Sequence, residues 1–433
     1  MKSEVIKNGL TGLCVLIIVC ASLVTGIGMQ AQSLEYVIKA FAFIALATIW
    51  LLTKGFSLPR VLVLFCVMYL LPIFNMFIFA MFMLVFVFLA DLSMSSKRQL
   101  LLPYPLSFLF LIAFGLVALS KTYVPDGVLY FISTIIVPLV CFVAIINARP
   151  DRAALDLWMR GISVIAAIVA SIGIYLALTN PTQRIGSTWS NAMTINGFYA
   201  LAFFFSVGLA FRAASMSSRV AWIFAAVLIF FGMLFTYTRM AMLAIVFGML
   251  LLILRYRNFR IWGLLLIALI PLLIPSSKMN RGEVVSMIDI SILIRFIAWY
   301  KASFIIAEHP LTGIGFSTWQ DIYHNMIPIP FLYAQHTHNV YINLLVEMGV
   351  FGTLAYLAII FKGMRNYYLS AVKGCDDMQA FCVLTGMLSL LFACLTDIFI
   401  QQYSISFLFW ITLALMVKEA SLPQEKVVES CQA

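Results

Sequence analysis

The stretch AQHTHNVYINLLVEMGVFGTLAYLAII, residues 334–360, decides how this chain is read. From Val340 to Ile360 it carries one charged residue, Glu347. At about 1.5 Å per residue, an apolar helix of that length crosses a hydrocarbon core of about 30 Å. His336, His338 and Asn339 stand immediately before it. The stretch therefore reads as a membrane helix with polar chemistry at its mouth.

The same pattern repeats outward in both directions. Apolar spans are predicted near 9–29, 34–53, 57–72, 74–91, 101–119, 126–147, 159–179, 193–211, 220–237, 240–254, 261–275, 338–361, 378–396 and 403–417. Hydrophobic residues make up 64% of the chain and charged residues 10%, and mean hydropathy is +1.07. No soluble domain hides that much apolar surface. Backbone groups left unpaired in lipid are too costly, so each span is helical. The expected fold is all-α: one integral membrane domain over 1–433, a polytopic transmembrane bundle of 12–14 helices. The spans 57–72 and 74–91 are short and meet at LLPIFN, as a tight hairpin or partly re-entrant pair. The first run follows Lys2 and Lys7 and lacks a clear small-x-small cleavage site, which reads as a retained helix. The eight cysteines sit mostly inside apolar runs and form neither a disulfide framework nor a CxxC metal spacing.

A net charge of +10 would suit a nucleic-acid partner, but topology explains it better. With the N-terminus in the cytoplasm and strict alternation, the inside loops collect most of the 27 basic residues. Both termini are then cytoplasmic, and 419–433 is expected to be a disordered tail. One connection differs from the rest. Residues 276–337 form a long loop on the outer face, where other connections are short, and such loops are usually functional. Within it, about 291–310 reads as an amphipathic helix carrying Arg295, Trp299 and Lys301 and ending at Pro310. A Gly-rich turn, LTGIGFSTW, follows.

All four histidines, His309, His324, His336 and His338, lie in that loop or at its end. Histidine avoids apolar helices, which places it in loops generally but does not explain this concentration. An active site on the outer face does. His338 is the candidate general base, with a capping or interfacial histidine as the alternative. His336, two residues away, points elsewhere if the helix begins there. It remains a candidate to support His338 or bind an acceptor. Arg184, Arg239, Arg281 and Arg295 sit on the outer side, against the positive-inside trend. Arg239 is the most constrained, held between two apolar helices in LFTYTRMAMLAIVFG. Snorkelling to lipid phosphate is the alternative for it. Converging guanidiniums suit a diphosphate, whose oxygens they bind in pairs. The outer acids, among them Asp321 and Asp397, form no DxD or HExxH pattern, so no metal and no other cofactor is expected. Glu347 is as readily a structural partner as a functional one. Trp189, Trp299 and Trp319 suit either an interfacial belt or sugar stacking.

Four segments in order resemble the O-antigen ligase family, part of a superfamily with O-antigen polymerases and protein O-oligosaccharyltransferases. His338 and Asn339 are followed by nine residues and then Gly349-x-x-Gly352, the family's hallmark spacing. IRFIAWYKASFIIAEHPLTGIGFSTW looks like its arginine–tryptophan helix with a Pro-x-x-Gly-x-Gly turn. TYTRMAML matches its arginine at a helix start, and RIGSTWSNAMTINGFYA its looser Arg-x-Gly…Asn segment. The resemblance implies a metal-independent GT-C type glycosyltransferase of the bacterial inner membrane, working on the periplasmic face in lipopolysaccharide assembly. The implied donor is a glycan on undecaprenyl diphosphate, and the implied acceptor a sugar hydroxyl of lipid A–core. Carried over, His338 is the base and Arg239, Arg295 and Arg184 bind the donor diphosphate. Asn339, His336 and Trp299 support the base or bind the acceptor. A polymerase, a protein O-oligosaccharyltransferase or a lipid-linked oligosaccharide transporter are the competing readings. Family members are drawn with twelve transmembrane helices, against fourteen apolar segments here.

Overall fold

A computed structural model describes residues 57–70, 84, 100–148, 152–179, 185–189, 191–273, 290–327, 329, 332–373 and 377–421. The predicted spans 9–29 and 34–53, and all of 74–91 except Leu84, lie outside the described residues, as do Arg184 and Arg281. Among the described residues every regular element is helical and no strand occurs.

The helices follow the apolar runs closely. Short α1 (Leu58–Met68) and α2 (Pro105–Ser120) each begin with proline in the first turn, where its missing N–H costs nothing. Next come α3 (Asp126–Asn147), α4 (Arg152–Thr179), α5 (Thr194–Arg212), α6 (Met216–Leu234) and α7 (Arg239–Arg255). α8 is Arg260–Leu273. The amphipathic helix exists as α9 (Ile290–Glu308), followed by the short α10 (Trp319–Met326). The opening stretch forms α11 (Val340–Tyr367), and α12 (Met378–Ala393) and α13 (Tyr403–Ala420) are the last helices among the described residues. Six of these are long and apolar enough to cross a membrane, so this is a multi-pass membrane protein. The sequence set helix ends within a few residues, with two differences. α4 begins at Arg152 rather than near 159, and α11 continues past 361 to Tyr367.

Two helices occupy the centre. α5 packs against α4, α6, α7 and α12, and α13 packs against α3, α4, α5 and α11. Both are apolar on all sides because both are surrounded. Trp410 on α13 is fully buried, with its ring near Phe142, Tyr356 and Phe409. At the rim, α4 exposes Val164, Ile168, Ile172, Tyr175 and Leu178. Their spacing of three to four residues marks one lipid-facing stripe.

α11 is not continuous. Gly349 adopts φ 68° and ψ −172° inside it, so the helical ladder breaks there. The Pro-x-x-Gly-x-Gly turn fills the break. Ile314 N–H donates to the Val346 carbonyl at 2.8 Å, Gly315 N–H to the Glu347 carbonyl at 3.2 Å, and Val350 N–H to the Pro310 carbonyl at 2.8 Å. A Cβ at Gly349 would lie 2.3 Å from the Leu311 carbonyl carbon, and one at Gly313 (φ 64°) would lie 2.5 Å from the Glu347 carbonyl. Only glycine allows backbones this close. The two glycine motifs are thus one joint, and it fixes the long loop onto α11 at its break.

Candidate active site

The mouth of α11 is built by a cap. Asn339 is its N-cap, and Oδ1 accepts from the N–H groups of Tyr341 (2.9 Å) and Ile342 (3.1 Å). Its Nδ2 donates to the Leu395 carbonyl at 2.9 Å, and Val340 N–H donates to the Cys394 carbonyl at 3.0 Å. Asn339 therefore ties α11 to the connection between α12 and α13. That connection delivers Asp397, which is 3% exposed.

His338 precedes the helix at φ 52°, a left-handed conformation. The sequence expectation that His336 and His338 diverge assumed a helix beginning there. With Val340 as the first helical residue, the kinked segment turns both rings together, at 4.2 Å between centroids. His338 Nδ1 lies 3.9 Å from Asp397 Oδ1, and His336 Nε2 lies 4.0 Å from the same oxygen. His336 Nδ1 accepts the His338 backbone N–H at 3.2 Å, so its neutral form carries the proton on Nε2, facing Asp397. His338 Nδ1 is buried without a hydrogen bond, while its side chain is 22% exposed.

α9 stitches this group together. Arg295 Nε donates to the Thr396 carbonyl at 3.1 Å and Nη1 to the Ser291 carbonyl at 2.8 Å. One turn on, Trp299 Nε1 donates to the Thr337 carbonyl at 2.9 Å. The guanidinium thus stands beside Asp397, and the indole beside the histidine segment. Arg239 arrives from the other side as the first residue of α7. Its place is set by the tight α6–α7 link, where Tyr237 takes φ 50° and Thr236 Oγ1 donates to Asn196 Oδ1 at 3.1 Å. Arg239 and Arg295 both line a cavity of about 280 Å³, with Thr238, Ser291, Trp299, Thr396 and Asp397 among the other lining residues. Neither imidazole lines it; Asp397 joins the histidines to the cavity.

The electrostatics follow from burial and from Arg295. Burial pushes the His338 imidazole down to about 3, helped by His336 and the Arg295 guanidinium. His336 is lowered by burial and by Arg295, against the pull of Asp397. Burial raises the Asp397 carboxyl, although His336, the Ile398 N–H and Arg295 all oppose that rise. Both imidazoles are neutral at physiological pH.

His336, His338 and Asp397 place one ligand atom each within 4.8 Å of one another, a donor set a divalent metal accepts. The Arg295 guanidinium beside Asp397 sets a competing positive charge at this donor set.

Of the predicted site residues, the structure gathers Arg239, Arg295, Trp299, His336, His338 and Asn339 at one place, and Arg184 is outside the described residues. Trp189 and Trp319 are neither belt nor sugar platforms. Trp189 is 5% exposed and stacks on Tyr69 and Phe198, and Trp319 is 2% exposed and stacks on Tyr323. Glu347 is a fastening group: Asn343 Nδ2 donates to Gln401 Oε1 at 3.1 Å and Gln401 Nε2 to Glu347 Oε2 at 3.3 Å. Asp397 is the residue that sequence reasoning left out of the site.

These are the side chains of a recognisable segment. Residues 224–357 match the family model described as O-antigen ligase. The match covers about a third of the chain, from α6 to the break in α11 and beyond, and includes every gathered residue named above except Asp397. No curated protein matches the chain.

Proposed function

We propose that this protein is a membrane glycosyltransferase that ligates a glycan from a polyprenyl diphosphate, in the family undecaprenyl diphosphate, to a sugar hydroxyl of lipid A–core. The observation that carries the reading is the pairing of His338 with Asp397 beside a cavity walled by two arginines. Two guanidiniums and the N-terminus of α7 converge on that cavity, which suits a diphosphate in charge and size.

In this mechanism the acceptor hydroxyl attacks the anomeric carbon, whose bond to the diphosphate oxygen breaks. The hydroxyl proton passes to His338 Nε2. Nδ1–H faces Asp397 from 3.9 Å, beyond hydrogen-bond distance in the resting site, and closes on it as the imidazolium forms, whose charge Asp397 stabilises. Arg239 and Arg295 stabilise the charge that builds on the leaving diphosphate. One direct displacement inverts the anomeric configuration. Arg184 joins the diphosphate set, and Trp299 fixes the histidine segment through Thr337. The site lies on the periplasmic face, with both termini cytoplasmic, and the protein needs no metal.

The polymerase shares the donor chemistry and differs in the acceptor. Purified protein given the lipid-linked donor and, separately, lipid A–core, a second donor molecule or an acceptor protein separates the readings. Transfer to lipid A–core without ATP or an ion gradient is expected. Extension of the donor alone makes it a polymerase, and no transfer to any acceptor refutes the enzyme reading.

A further inference from the structure

A cavity larger than the one at the histidine end lies at the other end of the same helices. A slot of about 970 Å³ runs between α5, α6 and α7, lined by apolar side chains such as Phe203, Phe230, Phe231 and Met249. Arg219, Arg255 and Arg257 also line it, and no carboxylate does among its described lining residues. All three arginines sit at one end: Arg219 near the start of α6, Arg255 at the end of α7, and Arg257 just beyond.

Two distances say what fits. Arg239 and Arg255 begin and end α7, and sixteen residue steps separate them by about 24 Å. This arginine cluster therefore faces the opposite membrane surface from Arg239 and Arg295, whichever side is outside. The diphosphate proposed there does not reach it. The second distance is depth. From Arg219 to Phe231 along α6 is about 18 Å, close to one leaflet of a hydrocarbon core about 30 Å thick. A slot one leaflet deep, apolar within and cationic at the mouth, has the shape and charge of an anionic glycerophospholipid.

We propose that the α5–α6–α7 slot is a binding site for one anionic glycerophospholipid, its acyl chains between Phe203 and Phe231 and its phosphate held by Arg219, Arg255 and Arg257. Guanidiniums suit a phosphodiester because they offer paired donors and bury weakly hydrated charge. The headgroup's net negative charge, rather than the phosphate alone, selects the occupant, since a zwitterionic headgroup returns a positive charge to the arginine cluster. The site does not depend on the transfer reaction, because no residue of it touches the cavity at the histidine end.

Native mass spectrometry of the full-length detergent-purified protein tests this, with phosphatidylglycerol and phosphatidylcholine of identical acyl chains as probes. One phosphatidylglycerol retained per chain, at least about tenfold over phosphatidylcholine, is expected. The variant Arg219→Gln/Arg255→Gln/Arg257→Gln should lower that retention about tenfold or more. Ile223→Trp narrows the slot at an exposed position and should lower retention with all three arginines intact. Equal retention of the two lipids overturns the proposal. So does undiminished phosphatidylglycerol binding by the triple variant, or preferential retention at this slot of the polyprenyl carrier lipid. Wild-type elution on size exclusion by both variants assigns any loss to the slot and not to unfolding.

Discussion

In the proposed mechanism the two ring nitrogens of His338 have different tasks. Nδ1 points at Asp397 from 3.9 Å, leaving Nε2 for an acceptor hydroxyl. His338→Ala should lower transfer by about 10²–10⁴-fold with protein levels unchanged, measured as product formation in membranes. Asp397→Asn removes the partner of Nδ1–H and should cost about 10²-fold or more in kcat. Wild-type rates in either variant contradict these roles. The pH dependence has a definite sign. A base acts when unprotonated, and in the resting site the His338 imidazole is held down to about 3. The acid limb of kcat/KM, which reports free enzyme, should therefore lie below the usual histidine value of 6.5. A bound diphosphate offsets the Arg295 charge that helps keep the imidazole low, so the acid limb of kcat should lie at higher pH than that of kcat/KM. A kcat/KM limb centred on 6.5 contradicts this. Chelation tests the three-ligand cluster: full activity after EDTA treatment is expected, and loss restored by added divalent metal would show the cluster working as a metal site. Most of this site was legible as type and position. His338 and Arg239 stood out because they break local rules, one a histidine at a helix mouth, the other a cation against the positive-inside trend. Asp397 was not legible, because it lies 58 positions beyond Asn339, in a short α12–α13 connection whose spacing carries no signal.

The joint between the Pro310–Gly315 turn and the break in α11 explains why two glycine motifs far apart in sequence belong together. The break frees the carbonyls of Val346 and Glu347, and the turn's N–H groups satisfy them. Gly349→Ala should destabilise the protein by more than about 2 kcal/mol, through left-handed strain and the close Leu311 carbonyl. Thermal unfolding in detergent measures it, and an unchanged Tm contradicts it. The helices themselves were legible because lipid allows few alternatives to a helix for a long apolar run. The break was not, because glycine within an apolar run also reads as ordinary helix packing. The Asn339 cap had a signal, a polar cap residue before an apolar run, although the sequence reading gave Asn339 only the task of supporting the base or binding the acceptor.

Across the molecule, the two arginine sets mark opposite membrane surfaces, Arg239 and Arg295 at one, Arg219, Arg255 and Arg257 at the other. The proposed topology, argued from the positive-inside trend, puts the first at the periplasmic surface. In a cysteine-free background, Glu308→Cys should react with a membrane-impermeant maleimide in intact spheroplasts and Ser421→Cys only after lysis; the reverse pattern contradicts the topology. The bundle was legible as a whole from composition, while the meeting of α7, α9 and the α12–α13 connection around one cavity was not, because no local pattern encodes which helices adjoin. Reconstituted transfer with purified protein, lipid-linked glycan donor and lipid A–core decides whether His338 is the base. Product is expected from the wild type without metal, ATP or gradient, and none above background from His338→Ala; equal product from both rules that role out.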